Sequence, residues 1–446
     1  MPHLPFDVVE HILSFLESHP KALLACSKAH PILSQIVEKY WFRHITLRTG
    51  FTNFTFSFTP SDMLRCLTET PRIVNYVAIL EVEFIYDQDR DWMTPYLEEI
   101  ASLLPMYPLL ECIMLPSRRN DSALLWRDLP QNFRTAVENC LHLPTLQEVH
   151  VGDMSFPLST LDNHANINYL SLAGPPEIEP LHLEITHPQI KSLALEGFQL
   201  HDSEVFRTWA KRHILELRRL KYDFSCPEII LEVFKICGDT LEILYLYLHR
   251  EGILRGSSSL LAQVWRSIAE FPETESSDLV DLSSLPRLRH LTIQIYFEWH
   301  NSGETMRTTY LGTAIKILKT ASSLKQVQLT ICIEIYVDPF ESDANWEQID
   351  DIDFSPLTFL TESLVCFPHV DLYIYTAKLR FTYAKMDSLL AKYEGLVKLI
   401  EQGVLVIHPD ETAPTLSPRS YVAKDIPKCI TLLAGGSVHR GKMFLK

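Results

Sequence analysis

Two hydrophobic periods divide the chain. Over residues 1–47 apolar positions recur at helical spacing; beyond them a strand-length motif repeats. Pro5 suits a first helical turn, where a missing N–H costs nothing. Val8, Val9, Ile12, Leu13 and Leu16 then form a wide apolar face. Pro20 opens a second predicted helix carrying Leu23, Leu24 and Cys26. Pro31 opens a third, carrying Ile32, Leu33, Ile36, Val37, Tyr40 and Trp41, in an apolar run that ends at Phe42–Leu47. So short a unit holds more apolar surface than it can bury alone, and such a surplus marks a docking face.

Past that segment Leu-x-x-Leu-x-Leu recurs: Val77-x-x-Leu80-x-Val82, Leu110-x-x-Ile113-x-Leu115, Leu146-x-x-Val149-x-Val151, Ile167-x-x-Leu170-x-Leu172 and Ile190-x-x-Leu193-x-Leu195. It continues as Leu217-x-x-Leu220-x-Tyr222, Leu241-x-x-Leu244-x-Leu246, Leu288-x-x-Leu291-x-Ile293, Leu324-x-x-Val327-x-Leu329 and Phe367-x-x-Val370-x-Leu372. One short strand per unit points alternate side chains into a shared core, and a helix returns the chain to the next. Steps are about 21 to 27 residues from Val149 to Leu244 and about 33 to 47 elsewhere, so the repeat is irregular. Helices are predicted from Asp202-Ser203-Glu204 through Trp209, from Pro227 through Phe234, over Ser259–Ala269 and over Arg307–Leu318. The Asn or Cys that usually follows such a strand is mostly missing. Only Cys332 occupies that place, so the turns must satisfy their backbone groups through other donors.

Two acidic stretches interrupt the array, near 270–281 and 338–353. Charges of one sign at that density resist packing, which predicts exposed loops. Met386–Gln402 reads as an amphipathic helix with Leu389, Leu390, Tyr393, Leu396, Val397 and Ile400 inward, ended by Gly403, and 404–407 as a closing strand. Polar positions between core residues, such as Ser171, Ala194, Tyr245 and Gln328, are candidates for an open recognition face. The expected organisation is residues 1–47, an array over 48–409, and a loosely held tail over 410–446.

With 46% hydrophobic and 22% charged residues the composition is that of a globular protein. No run approaches the ~20 apolar residues of a membrane span, and no secretory leader is read at the N-terminus. The nine cysteines are scattered, odd in number and free of Cys-x-x-Cys pairs, which fits a reducing compartment, cytoplasmic or nuclear. A net charge of −16 repels phosphate backbones and argues against nucleic acid.

Leu4-Pro5-x-Asp7-Val8-Val9-x-x-Ile12-Leu13-Ser14-x-Leu16, followed by Leu23-Leu24-x-Cys26-Ser27, resembles the F-box motif, in the form found in F-box proteins of mushroom-forming fungi. Where many F-boxes carry a tryptophan, this chain has Lys28-Ala29-His30-Pro31. The resemblance implies an α/β chain in which a three-helix F-box precedes an irregular leucine-rich-repeat-like solenoid. It implies a non-catalytic substrate receptor of a cullin-type ubiquitin ligase. Its partners would be a Skp-type adaptor, through it a cullin, and a protein substrate held by the solenoid. Leu4, Pro5, Val8, Val9, Ile12, Leu13, Leu16, Leu23 and Leu24 would meet the adaptor. The alternative is a repeat scaffold whose first helices only cap the array.

Signals for catalysis are weak. Gly436–Lys442 matches part of a phosphate-binding loop, but Met443 stands where a magnesium-binding Ser or Thr belongs. The eighteen histidines show neither His-Glu-x-x-His spacing nor zinc-type pairing with cysteine, and no Gly-x-Ser-x-Gly elbow is present. No catalytic residue, cofactor or metal ligand is therefore expected.

Overall fold

The computed structural model describes residues 5–16, 19–48, 57–83, 93–115, 124–152, 154–162, 164, 166–173, 190–196, 203–223, 227–249, 281–299, 309–320, 327–337, 357, 368–376 and 394–408. They form an α/β structure whose strands run parallel, with helices between them. The chain divides into two compact units, one from Met1–Asn120 with Leu124–Met154, the other from Asp121–Ala123 with Ser155–Glu411.

The first unit begins with α1 (Phe6–Ser14), α2 (Pro20–Ala29) and α3 (Pro31–Trp41). Prolines at the first position of α2 and α3 set their starts, and His30 Nδ1 caps α3 by accepting the Ile32 N–H at 3.1 Å. There follow β1 (His44–Arg48), β2 (Ser57–Phe58), α4 (Pro60–Glu69), β3 (Ile79–Glu83), α5 (Met93–Leu103), β4 (Cys112–Leu115), α6 (Gln131–Leu141) and β5 (Glu148–Val151). The strands pair in the order β2-β1-β3-β4-β5. The third apolar run is thus not helical to its end: residues 44–47 lie in a strand, because Ile45 and Leu47 alternate with polar neighbours at period two. The expected limit at residue 47 falls inside the sheet.

The second unit holds β6 (Tyr169–Ala173), β7 (Ser192–Glu196), α7 (Ser203–His213), β8 (Arg219–Asp223), α8 (Pro227–Cys237), β9 (Ile243–His249), β10 (His290–Trp299), α9 (Thr309–Thr320), β11 (Gln328–Val337), β12 (Pro368–Thr376), α10 (Glu394–Glu401) and β13 (Leu405–His408). Each strand pairs in parallel with the next in chain order. Parallel neighbours require a crossover, and α7, α8, α9 and α10 lie in four of these connections.

The motif leucines align across the strands. Ile45, Leu80, Ile113 and Val149 form one row of the first unit, and Leu47 and Val82 begin a second. In the second unit Leu170, Leu193, Leu220, Leu244, Leu291 and Leu329 form a row, beside Leu172, Leu195, Tyr222, Leu246, Ile293 and Ile331. All are buried. In β1 and β5 the intervening side chains are only half-buried. Sheets sandwiched between helices read as near-continuous apolar runs; β1 and β5 alternate, with one face sealed and the other part-open, whereas in β6 Leu170, Ser171 and Leu172 are all buried.

Two expected motifs slip by two residues. Leu329, not Val327, stands opposite Leu291, and Val370 stands opposite Ile331 rather than Leu329. A two-residue shift keeps every side chain on its face, so the apolar pattern cannot reveal it. Cys332 accordingly lies inside β11, paired with Gln294 and Asp371, and not at a turn. The turns use other donors. Thr145 Oγ1 donates to the Leu110 carbonyl and Thr240 Oγ1 to the Leu217 carbonyl, each at 2.8 Å. Both threonines immediately precede the first motif leucine and reach the same place in the preceding repeat.

α7 and α8 run four and three residues beyond their expected ends, and α9 is displaced by two. At the end of α10, Gly403 adopts φ 69° and Val404 N–H donates to the Leu399 carbonyl at 2.8 Å, a turn that glycine accommodates freely. This turn buries Leu399 and leaves Ile400 exposed, contrary to the expected inward Ile400. The Ser259–Ala269 helix, both acidic loops (Asp281 apart), residues 386–393 and the tail lie outside the described residues.

Candidate functional site

α1 carries apolar residues on two sides. Its inner side packs Leu13 against Leu23, Ile36 and Val37, with Val9, Leu16, Cys26, Leu33, Tyr40 and Trp41 around them. Tyr40 donates to the Glu10 carbonyl at 2.9 Å and Lys39 meets Glu10 at 3.0 Å, fastening α1 to α3. Arg72 grips Glu38 through two nitrogens at 2.9 and 3.0 Å, which fastens α3 to the turn that follows α4.

The outer side of α1 faces solvent. Val8, Ile12 and Phe15 stand at i, i+4 and i+7, a single helical ridge, with Ile12 50% and Phe15 69% exposed. Phe6 is 47% exposed beneath the Lys39 ammonium, which lies 5.3 Å from its ring centroid. Ile32 on α3 is 49% exposed. Of the residues nominated from sequence, Pro5, Val8 and Ile12 are exposed, Val9, Leu16 and Leu24 half-buried, and Leu4 lies outside the described residues. Leu13, at 3% exposure, and Leu23 are interior, so as folded they cannot touch a partner. Sequence reasoning missed Phe6 and Phe15. For Phe15 the signal is its place one turn beyond Ile12, on the side away from Leu13; Phe6, seven residues before Leu13, stands on the Leu13 side and carries no such signal.

A second candidate is the open face of the first unit's sheet. Register puts His44, Ile79, Cys112 and Glu148 in one row, and Thr46, Glu81, Met114 and His150 in the next. Arg48 and Glu83 continue it. His44 Nε2 lies 3.4 Å from Glu81, Thr46 donates to Glu81 at 2.9 Å, and Arg48 Nε lies 2.6 Å from Glu83. Burial works against the charge of Glu81, but His44, Thr46 and Glu83 outweigh it and hold its carboxyl down at about 2. Burial, then the negative charge of Glu81, pushes Glu83 up from its ordinary value, against the pull of Arg48.

These opposed shifts give opposite pH dependences. A raised folded pKa contributes stability in acid that is lost as pH rises, so Glu83→Gln should match the wild type in acid and gain on it towards neutrality. A lowered folded pKa contributes above the unfolded value of 4.5 and loses that contribution as pH falls towards about 2. Glu81→Gln should therefore approach the wild type at pH about 2 and fall behind it above about 4.5. Urea unfolding across that range reads both differences.

The corresponding face of the second unit aligns Ser171, Ala194, Lys221, Tyr245, Thr292 and Thr330. Gln328 lies on the same face, one row away. The four candidates named from sequence thus lie on one face, but Ser171 and Ala194 are buried on it and cannot meet a partner as folded, which leaves half-buried Tyr245 and exposed Gln328. The Lys221 ammonium sits 4.7 Å from the Tyr247 ring centroid, which adds a cationic and aromatic contact point.

Sequence spacing gives no zinc-type pairing of Cys and His. In the structure, however, Cys112, Glu148 and His150 bring one donor atom each to within 4.8 Å of one another. No helix among the described residues is long and apolar enough to cross a membrane. No protein-family model matches the chain, and the curated proteins give no match to it.

Proposed function

We propose that this chain is the substrate-recognition subunit of a cullin-type ubiquitin ligase. An F-box formed by α1–α3 docks a Skp-type adaptor, and the rows of parallel strands form an irregular leucine-rich-repeat-like solenoid whose open face holds a protein substrate. The observation that carries the reading is the exposed ridge of Val8, Ile12 and Phe15. Helices that dock into grooves use anchors at this spacing. An apolar ridge left in water on a helix whose other side is already packed has no role within its own unit. The one-sided burial of β1 and β5 supports the solenoid, since an open sheet face is what a repeat receptor offers. Such a subunit needs no reacting group of its own: it raises the local concentration of substrate lysine near the ubiquitin carrier.

The scaffold alternative has one observation in its favour. Only two residues separate α3 from β1, and Arg72 ties α3 to the sheet's first crossover, as an end cap would require. The two readings differ at the ridge. Ile12→Asp and Phe15→Asp should each weaken capture of a purified Skp-type adaptor by at least about thirtyfold, as loss of an interface hot spot does. Their thermal midpoints should stay at the wild-type value, because both sites are exposed. Wild-type affinity in both variants, or no adaptor capture by the wild-type chain, overturns the docking assignment.

A further inference from the structure

We propose that Cys112, Glu148 and His150 form a zinc(II) site on the open face of the first unit's sheet. Cys112 on β4 stands in register with Glu148 on β5, and His150 follows two residues later on the same face. Their sulfur, carboxylate oxygen and imidazole nitrogen already converge to within 4.8 Å of one another. Tetrahedral zinc, with bonds of about 2.0–2.3 Å, places its donors roughly 3.5 Å apart. Closing the site therefore takes about an ångström of side-chain rotation, not movement of strands held by a parallel ladder.

The donor set selects the ion. Magnesium and calcium take oxygen ligands, whereas one thiolate, one imidazole and one carboxylate suit zinc. On binding, the Cys112 thiol releases its proton to solvent and the sulfur lone pair forms the metal bond. Thiolate and carboxylate then balance the dipositive ion. Cys112 is surrounded by Ala78, Ile79 and Met114, an apolar patch that keeps water from the sulfur and strengthens its hold on the charge. The Glu148 side chain is 27% exposed, which gives the ion a path in and leaves its fourth position to water. Before any ion enters, His150 Nε2 lies 3.8 Å from the Glu148 carboxylate. The site stands apart from the helical ridge and does not depend on adaptor docking.

The test uses the full-length chain freed of metal with a chelator and titrated with cobalt(II), whose tetrahedral thiolate complexes absorb characteristically in the ultraviolet and visible. One equivalent should produce the thiolate-to-cobalt band, and zinc should abolish it. Cys112→Ser should remove the band. His150→Gln, with its fold checked by an unchanged circular dichroism spectrum and thermal midpoint, should weaken binding by more than the roughly ten- to hundredfold that loss of an outer-shell partner costs. Absence of the band in the wild type, or a band unchanged in either variant, overturns the site.

Discussion

Leu13→Asp should melt the helical end of the chain and only thereby abolish adaptor capture, whereas Phe15→Asp should abolish capture from a folded protein. Leu13 lies against Leu23, Ile36 and Val37. Truncating such a leucine costs about 2–5 kcal/mol, and an unpaired buried carboxylate costs about 3–5 kcal/mol. What remains to hold α1 is the half-buried packing of Val9 and Leu16, with the Tyr40 hydroxyl on Glu10 and the Lys39–Glu10 pair. The polar ties are part-exposed, and such ion pairs contribute about 1 kcal/mol or less. Circular dichroism should show lost helix and a lowered first transition for Leu13→Asp. Leu13→Met, which conserves volume, should cost less than about 1.5 kcal/mol and capture the adaptor normally. A Leu13→Asp chain with wild-type helix content and melting would refute the interior placement of this residue.

The difference between Leu13 and Phe15 is not legible in the sequence. Both sides of α1 are apolar, so periodicity marks a wide face without saying which part the chain keeps for itself. The helices themselves are legible, since Pro20 and Pro31 can stand only at a first turn. So is the sealed side of the sheet: every strand from β3 to β10 falls on the last four positions of a motif or extends it. The register of β11 and β12 is not, because alternation is indifferent to a two-residue slip.

The metal-type cluster is hidden for a different reason. Cys112 and His150 are far apart along the chain, so local ligand spacing cannot find them. The repeat alignment can. Cys112 immediately precedes Ile113, and Glu148 and His150 flank Val149, while Ile113 and Val149 are paired across β4 and β5. When the residues beside each motif leucine are read as columns, the amino-acid sequence alone sets the three donors side by side. The same columns assemble His44, Glu81 and Thr46, whose mutual contacts explain the depressed carboxyl of Glu81. In a repeat sheet the core residues supply the ruler, and the chemistry is read from their neighbours.

Trp209→Ala should be the most damaging truncation in the second unit, lowering its stability by about 3–5 kcal/mol. Trp209 closes α7 over the core and is wholly buried. Its ring stacks on His213 at 4.9 Å and lies 5.8 Å from Phe206. Beyond the stack, His213 Nε2 is 3.3 Å from Asp162 Oδ1, and both side chains are shielded from water. Removing the indole opens a cavity beside a polar pair that depends on that shielding. Trp209→Phe should be far milder. It keeps the stack and removes the indole N–H, which has no hydrogen-bond partner among the described residues; a buried donor left unsatisfied costs about 1–3 kcal/mol, and its removal offsets much of the lost volume. Urea unfolding at an unchanged denaturant slope distinguishes these outcomes. An alanine variant within about 1 kcal/mol of the wild type, a typical surface effect, would mean that α7 does not depend on this side chain. A phenylalanine variant as damaged as the alanine one would mean that the indole nitrogen, not the ring stack, is what the core requires.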